Sequence, residues 1–389
     1  MRNVGGYFKY IILLLPFLMS PIVYTLTMPA FANFLLAYKF VSFLFIVQSY
    51  LVNGKFSNLD IAVFGYFVIW FISLIINGGN IIEYLKEVVV ILSFLFIIED
   101  AFNKSRASEL LDAMTCILFA ELSVNFVGML LFPNGLWRTV SNYGIETPYA
   151  FLGLQNQITP IYIVAEMLLF LQIYRANLRI KPLSVFRGIV LILNMILSTS
   201  STGVVGCILV PVLYVIGYKH RNIINIRTAV IIAFMIFVLF VIFRYQNIFS
   251  FFINGILHKS LTFTSRTGIW DRALGMIWEK PLLGYGYGTL ASVVIDRNAH
   301  NFYLQILLQT GVLGLVWYFT VLRKALSGCW RNMKSTGSLI IASCLFGYMI
   351  CFVFEVYSQA WLIILLSFAY NVGRLPGFQL MKREEELAL

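Results

Sequence analysis

The sequence contains few charged residues. Asp, Glu, Lys and Arg make up 12% of its 389 residues, whereas hydrophobic residues make up 60%. A soluble domain of this length would carry roughly twice that charged fraction. The shortage of charge therefore excludes a soluble protein. It predicts an all-α integral membrane protein in which residues 1–389 form a single polytopic domain.

The sequence also lacks paired cysteines. Its five cysteines include no Cys-x-x-Cys pair; four of them lie within apolar stretches, and Cys329 lies in a basic loop. This arrangement provides no disulfide framework and disfavours a zinc or iron–sulfur site.

Long apolar stretches are abundant. A membrane-spanning helix needs about 20 apolar residues, and twelve stretches meet or approach this length. The predicted spans are 10–28, 31–52, 59–77, 81–98, 110–132, 158–174, 187–200, 203–218, 228–246, 301–322, 338–354 and 360–373.

The Lys and Arg residues indicate how the chain is oriented. Most of the 28 lie at the N-terminus, in loops after even-numbered spans and in the C-terminal tail. By the positive-inside rule these segments, and hence both termini, are cytoplasmic. A smaller loop at 133–157 and a large loop at 247–300, before the tenth span, then face outward. The net charge of +11 reflects topology, and nucleic acid is not an expected partner.

This orientation limits the chemistry of the glycine-rich run 284–288. The run has no Gly-Lys-Ser/Thr end of a phosphate-binding P-loop, and it faces the side without ATP. We interpret it as a flexible, aromatic turn after Pro281. Chemistry on the outer face must therefore use a substrate that is already activated.

The large outer loop contains an amphipathic pattern. Ile269, Trp270, Ala273, Met276 and Ile277 recur at helical spacing, which predicts a helix lying along the membrane interface.

Two arginines of this helix have different interpretations. Arg266 opens it beside Ser265, a possible N-cap, and a guanidinium near free backbone N–H groups suits a phosphate or diphosphate. For Arg272 we favour ordinary interfacial solvation or phospholipid pairing, with substrate binding as the alternative.

His300 immediately precedes the tenth span. The positive end of that helix dipole disfavours imidazolium, so the ring tends to stay neutral and able to accept a proton. Asn301, Gln305 and Gln309 continue as a polar stripe into the span. Two interpretations stand: a functional site, or an interfacial histidine above polar helix–helix contacts.

Further polar groups lie in the smaller outer loop. Arg138, Asn156 and Gln157 are of types that suit sugar hydroxyls, and they equally suit a capped loop in the headgroup region. Lys39, Glu83, Lys86 and Glu87, toward the outer halves of their spans, fit a shared polar cavity. Glu83 is, however, also an ordinary near neighbour of Lys86 and Glu87 on one helix.

The order of motifs in 266–314 carries a family resemblance. Arg266 and Trp270 are followed by Pro-Leu-Leu-Gly-Tyr-Gly at 281–286, Ala-His-Asn-Phe-Tyr-Leu-Gln at 299–305 and Gly-Val-Leu-Gly at 311–314. This region resembles the signature of the bacterial O-antigen polymerase and O-antigen ligase superfamily. The twelve-span layout with one late, large outer loop extends the likeness over most of the chain.

The resemblance implies a GT-C-like glycosyltransferase in the bacterial cytoplasmic membrane, with its active site facing outward. It implies undecaprenyl-diphosphate-linked oligosaccharides as donors, without a nucleotide sugar, metal or other cofactor. His300 corresponds to the group that activates or orients the acceptor hydroxyl, and Arg266 to a ligand of the donor diphosphate. Membrane lipids are expected partners, and a chain-length-regulating membrane protein is a candidate partner.

One departure from the family concerns a second arginine. Many members have a Ser-Arg pair at a short outer turn, where this chain has Ser-Ser-Thr-Gly at 200–203. Arg138, Lys39 and Arg297 are the alternatives for the missing charge. Asn156, Gln157, Asn301 and Gln305 are predicted sugar or cavity contacts.

Three functions follow. The polymerase function is preferred, because the chain is rich in aromatics (35 Phe and 21 Tyr) and departs from the family at the Ser-Arg turn, as its more variable branch does. The ligase alternative passes the same glycan to lipid A-core. The non-enzymatic alternative is a lipid-linked-glycan flippase or transporter, but transporters often have two similar halves, which this sequence lacks.

Overall fold

A computed structural model describes residues 4–19, 25, 28–53, 55–140, 146–154, 157–198, 200–220, 226–243, 245, 266–287 and 298–375. These ranges are mostly helical. The α-helices are α1 (Val4–Leu18), α2 (Pro29–Asn53), α3 (Asn58–Ile76), α4 (Ile81–Asn103), α5 (Ala107–Leu131), α6 (Thr159–Arg175), α7 (Pro182–Leu197), α8 (Ser201–Lys219), α9 (Ile226–Phe237), α10 (Arg266–Glu279), α11 (Phe302–Arg331), α12 (Thr336–Phe354) and α13 (Gln359–Asn371). A π-helical turn, Val238–Ile242, extends α9, and a 3-10 turn, Val372–Arg374, follows α13.

Each of the twelve predicted spans overlaps one of these helices, and α10 is the additional helix predicted in the large outer loop. Within the described ranges, six helices are long and apolar enough to cross a membrane, namely α2, α3, α5, α8, α11 and α12. The prediction of a helical, multi-pass membrane protein is confirmed at this level. Twelve crossings and a GT-C-like arrangement stay predictions.

Polar caps set several helix boundaries. Ser57 and Asp60 form a reciprocal capping box at the start of α3, and Asn80 accepts hydrogen bonds from the first turn of α4. Ser335 and Ser358 cap α12 and α13 in the same way. These side chains satisfy backbone N–H groups that have no partner within their own helix.

Helix α12 forms the centre of the bundle. Every side chain from Thr336 to Val353 is buried, and α6, α8, α9, α11 and α13 pack around the helix. Peripheral helices instead expose apolar stripes, such as Ile189, Ile192 and Ile196 on α7, which are 50–70% exposed. Such stripes are typical of lipid-facing surfaces because the surrounding medium is itself apolar.

The loop predicted at 133–157 contains structure that the all-α prediction did not include. Its strands β1 (Trp137–Val140), β2 (Glu146–Ala150) and β3 (Gly153–Leu154) form an antiparallel sheet in the order β1-β2-β3. Trp137 pairs with Tyr149, and their rings stack. Strands this short carry too little alternation to stand out in a sequence dominated by apolar helices.

Helix α11 is broken at Gly311, where φ is 63° and ψ is −164°. The break leaves backbone N–H and C=O groups without partners inside the helix. Residues 281–286, which follow α10, form hydrogen bonds with these groups. The N–H of Tyr285 donates to the carbonyl of Leu308 at 2.7 Å, and the N–H of Gly286 donates to that of Gln309 at 3.0 Å. Backbone polar groups at membrane depth need such partners.

Residues 281–286 also form hydrogen bonds with the residues that follow Gly311. The N–H of Val312 donates to the carbonyl of Pro281 at 2.8 Å, and Leu313 donates to Leu282 at 3.3 Å. The Ser73 hydroxyl of α3 donates to the carbonyl of Gln309 at 2.7 Å. The glycine-rich run is therefore a turn as far as Tyr287, as predicted, but its backbone is fixed in the broken helix instead of being flexible.

Replacing Gly311 by alanine tests this junction. The positive φ disfavours a side chain, and a Cβ there would lie 2.2 Å from the backbone of Leu282. We expect Gly311→Ala to destabilise the protein by about 1–3 kcal/mol, measured as a lower melting temperature in detergent. Gly275→Ala in α10, where a Cβ meets nothing within 4 Å, is the control and should cause no loss. Equal melting temperatures for the two variants would contradict this packing.

Candidate active site

Glu355 is the centre of the candidate site. It follows α12 with an extended backbone, and only 3% of its side chain is exposed. The guanidinium of Arg266 donates from Nη2 to Oε1 of this carboxylate. The Nδ1 atom of His300 lies 3.4 Å from Oε2. One buried carboxylate thus joins the two residues predicted to be catalytic, which lie at the starts of different helices.

The environment keeps Glu355 ionised. Burial alone would raise the pKa of its carboxyl, but the hydrogen bond with His300 and the positive charge of Arg266 outweigh burial and lower the pKa below its ordinary value. A charged carboxylate is retained in a buried position only when such partners are present.

Arg266 begins α10, as predicted, and 19% of its side chain is exposed. Its Nη1 donates to the carbonyl of Phe354 at 2.5 Å, one of the carbonyls that the end of α12 leaves without an intrahelical partner. A guanidinium has five N–H donors, so these two contacts leave others for a ligand. Ser265, its predicted N-cap, lies outside the described residues.

His300 has an unusual backbone conformation. Its φ is +44°, and its N–H donates to the side chain of Asn298 at 2.8 Å. The ring is 27% exposed. Because Nδ1 faces the Glu355 carboxylate, that nitrogen is the one expected to hold the proton, which leaves Nε2 as the acceptor.

Asn301 and Gln305 support the segment that holds His300. The Asn301 side chain accepts from the N–H of Leu304 at 2.9 Å and donates to the carbonyl of Val353 at 2.7 Å. Gln305 accepts from the N–H of Ala299 at 2.9 Å. Both side chains are buried. Their predicted contact with a sugar stays a prediction; their observed contacts tie the start of α11 to α12.

The short turn before α8 lies close to the end of α12. Ser200 caps α8, and the carbonyl of Thr202 accepts from the thiol of Cys351 at 3.4 Å. The side-chain amide nitrogen of Gln157, a predicted sugar contact, donates to the carbonyl of Val356 at 3.5 Å. The residues at the starts of α6 and α8 therefore contact the end of α12 and the residues just after it, beside Glu355.

Other predicted residues lie elsewhere. Arg138 pairs with Glu146 at 2.7 Å on the exposed face of the small sheet. Arg272 is exposed on α10. Asn156 and Arg297 lie outside the described residues. Their roles, and the identity of a second diphosphate-binding cation, stay predictions.

Glu355 itself was missed by sequence reasoning. Its signal was present: an acidic residue lies between the end of the eleventh predicted span and the start of the twelfth, and ionisable groups at such positions often mark functional sites. The pairing was not apparent because 55 residues separate Glu355 from His300.

Residues 187–319 match a family model described as O-antigen ligase. The resemblance to the O-antigen polymerase and ligase superfamily is confirmed. An O-antigen ligase of Pseudomonas aeruginosa is 31% identical over 83 residues, which are 20% of this chain and 21% of the relative. The family segment contains Arg266 and His300 and ends before Glu355.

In the described part of the chain, no group of three or more His, Cys, Asp or Glu side chains is placed to hold a metal ion. The five cysteines are unpaired thiols.

Acid should weaken the contribution of Glu355 to stability. Because its pKa is lowered in the folded protein, the carboxylate stabilises the fold above the ordinary pKa of 4.5, and this contribution is lost as the pH falls through the folded value. We expect Glu355→Gln to cost about 1–3 kcal/mol at pH 7 and much less at pH 3, measured by thermal unfolding.

The matched control is Glu146→Gln, which removes an exposed ion pair with Arg138 and should have little effect at either pH. An equal cost of Glu355→Gln at pH 7 and pH 3 would show that the charge of Glu355 does not stabilise the fold.

Proposed function

We propose that this protein is a glycosyltransferase that polymerises undecaprenyl-diphosphate-linked oligosaccharide repeat units into an O-antigen-type polysaccharide. The reaction takes place on the outer face of the bacterial cytoplasmic membrane. The observation that carries the proposal is the buried Glu355 carboxylate, which holds Arg266 and His300 on its two oxygens. The match of residues 187–319 to the O-antigen ligase family supports the same chemistry.

In the proposed reaction, a hydroxyl of the incoming lipid-linked unit attacks the anomeric carbon of the growing chain. The bond between that carbon and the diphosphate oxygen breaks, and its electron pair leaves with undecaprenyl diphosphate. Nε2 of His300 accepts the hydroxyl proton, and the Glu355 carboxylate at Nδ1 stabilises the imidazolium that results. The imidazolium then gives this proton to the released diphosphate or to water, which returns His300 to its neutral form.

Arg266 has the complementary task at the donor. Its remaining N–H groups bind the diphosphate oxygens and stabilise the negative charge that grows as the leaving group departs. Because Glu355 also binds Arg266, one carboxylate sets the distance between the group that holds the donor and the group that activates the acceptor.

An O-antigen ligase is the second candidate, because the relative in Pseudomonas aeruginosa has that name. A ligase would use the same donor and pass the glycan to lipid A-core. Deletion in the host distinguishes the two functions: loss of a polymerase leaves lipid A-core capped with one repeat unit, whereas loss of a ligase leaves it uncapped. A flippase is eliminated if purified protein joins lipid-linked repeats without a gradient.

Loss of the proposed base should abolish polymerisation. We expect His300→Ala to lower the rate at which purified protein polymerises a defined lipid-linked repeat by about 100-fold or more, read as the loss of the sugar ladder on a gel. The control is His220→Ala, because His220 follows the last residue of α8, whereas the first residues of α8 lie near the candidate site. This variant should form wild-type polymer. Full polymer length from His300→Ala, with normal expression, would refute the catalytic assignment.

Arg266 should not be replaceable by lysine. A point charge cannot reproduce the planar fork that contacts Phe354, Glu355 and a diphosphate together. We expect Arg266→Lys to lower kcat/KM for the lipid-linked donor by about tenfold or more, since charge-assisted hydrogen bonds contribute about 1.5–3 kcal/mol each. Arg323→Lys, at an exposed position of α11, is the control. Wild-type kcat/KM in Arg266→Lys would argue against diphosphate binding by this residue.

A further inference from the structure

A cavity lies at the opposite end of the bundle from Glu355. Ser358, just after Glu355, donates to Glu87 of α4 at 2.8 Å. Lys104, which ends α4, donates to Ser49 at the edge of the cavity, also at 2.8 Å. At a rise of about 1.5 Å per residue, Glu87 and Lys104 are separated by about 26 Å along this helix. The cavity is therefore distinct from the candidate active site.

The cavity lies between the first half of α1 and the second half of α2 and has a volume of about 670 Å³. Its walls are apolar and open to the surroundings of the bundle: Phe8, Ile12, Phe45 and Val52 are 55–74% exposed. A volume in the range of about 300–1,000 Å³ is typical of ligand pockets. In a membrane protein, exposed walls of this kind face acyl chains.

The remaining lining is polar and positively charged. Lys9 and Ser49 line the cavity, with the Lys9 ammonium 3.5 Å from the Ser49 hydroxyl. Asp100 pairs with Lys104 at 2.7 Å and accepts from the Ser49 hydroxyl at 3.1 Å. Among the described residues Lys9 forms no ion pair; burial and the charges of Lys104 and Arg106 disfavour its ammonium form, and the Asp100 carboxylate offsets them only in part. An anion in the cavity would relieve this repulsion.

We propose that this cavity binds one anionic phospholipid, with its phosphate at Lys9 and an acyl chain along Phe8, Ile12 and Phe45. The combination of an apolar wall with a cation at one end matches that ligand and fits neither a free anion nor a hydrocarbon. Basic pockets between membrane helices on the cytoplasmic side are suited to anionic headgroups. Under the predicted topology, α1 and α2 place this cavity in the cytoplasmic leaflet.

Lipid retention by the purified full-length protein tests the proposal. Native mass spectrometry in a mild detergent would count bound dioleoylphosphatidylglycerol and, separately, dioleoylphosphatidylcholine. We expect the wild type to retain the anionic lipid preferentially. Lys9→Gln should weaken that retention by about fivefold, the factor that corresponds to roughly 1 kcal/mol for one Lys near an anionic lipid. Val52→Trp, which fills an exposed wall without touching the core, should weaken retention of both lipids.

Lys55→Gln is the matched control, since Lys55 is an exposed lysine just beyond α2 that does not line the cavity. It should bind the anionic lipid as the wild type does. Three outcomes would overturn the proposal: equal retention of the two lipids by the wild type, unchanged retention in Lys9→Gln and Val52→Trp, or displacement of the lipid by an equal concentration of glycerol 3-phosphate. Melting temperatures would confirm that each variant is folded.

Discussion

A buried carboxylate needs hydrogen bonds and opposite charge around it, or it destabilises the protein that contains it. Here that carboxylate is Glu355, and Arg266 and His300 meet its need from α10 and from the start of α11. Because each partner comes from a different part of the chain, the requirement of one residue fixes three elements relative to one another. The same contacts that stabilise this region also build the constellation on which the proposed glycosyl transfer depends.

A second constraint acts through backbone hydrogen bonds. Breaking α11 at Gly311 frees carbonyl and N–H groups inside the bundle, where the neighbouring Gln309 and Thr310 are buried from water. The run from Pro281 to Gly286 supplies the partners, so the segment that follows α10 is fixed to the bundle. The position of α10, and with it the position of Arg266, is thus determined at both ends of that helix: by Glu355 at its start and by the broken helix after its end.

The sequence predicted features that depend on local composition. Helices could be located because hydropathy accumulates along a stretch, and Arg266 and His300 were singled out because each lies beside a helix start. Glu355 was missed, although it shares a site with them, because its partners are distant in sequence. The break at Gly311 was missed because a lone glycine in an apolar run is compatible with a continuous helix. The sheet around Trp137 was missed because its strands are very short. Asn156 and Arg297 lie outside the described residues and stay predictions.

The position of Arg266 has a consequence for turnover. Its guanidinium faces both the Glu355 carboxylate and the negative end of the α12 dipole, represented by the carbonyl of Phe354. Its positive charge is therefore partly compensated before any ligand arrives. An uncompensated arginine would bind the released carrier diphosphate, which carries the negative charge gained when the glycosidic bond breaks, more tightly than the substrate diphosphate, and it would slow release of the carrier. Under the proposed function, the built-in competition from Glu355 lowers the affinity for the spent lipid carrier, so the carrier can leave and the next repeat unit can enter.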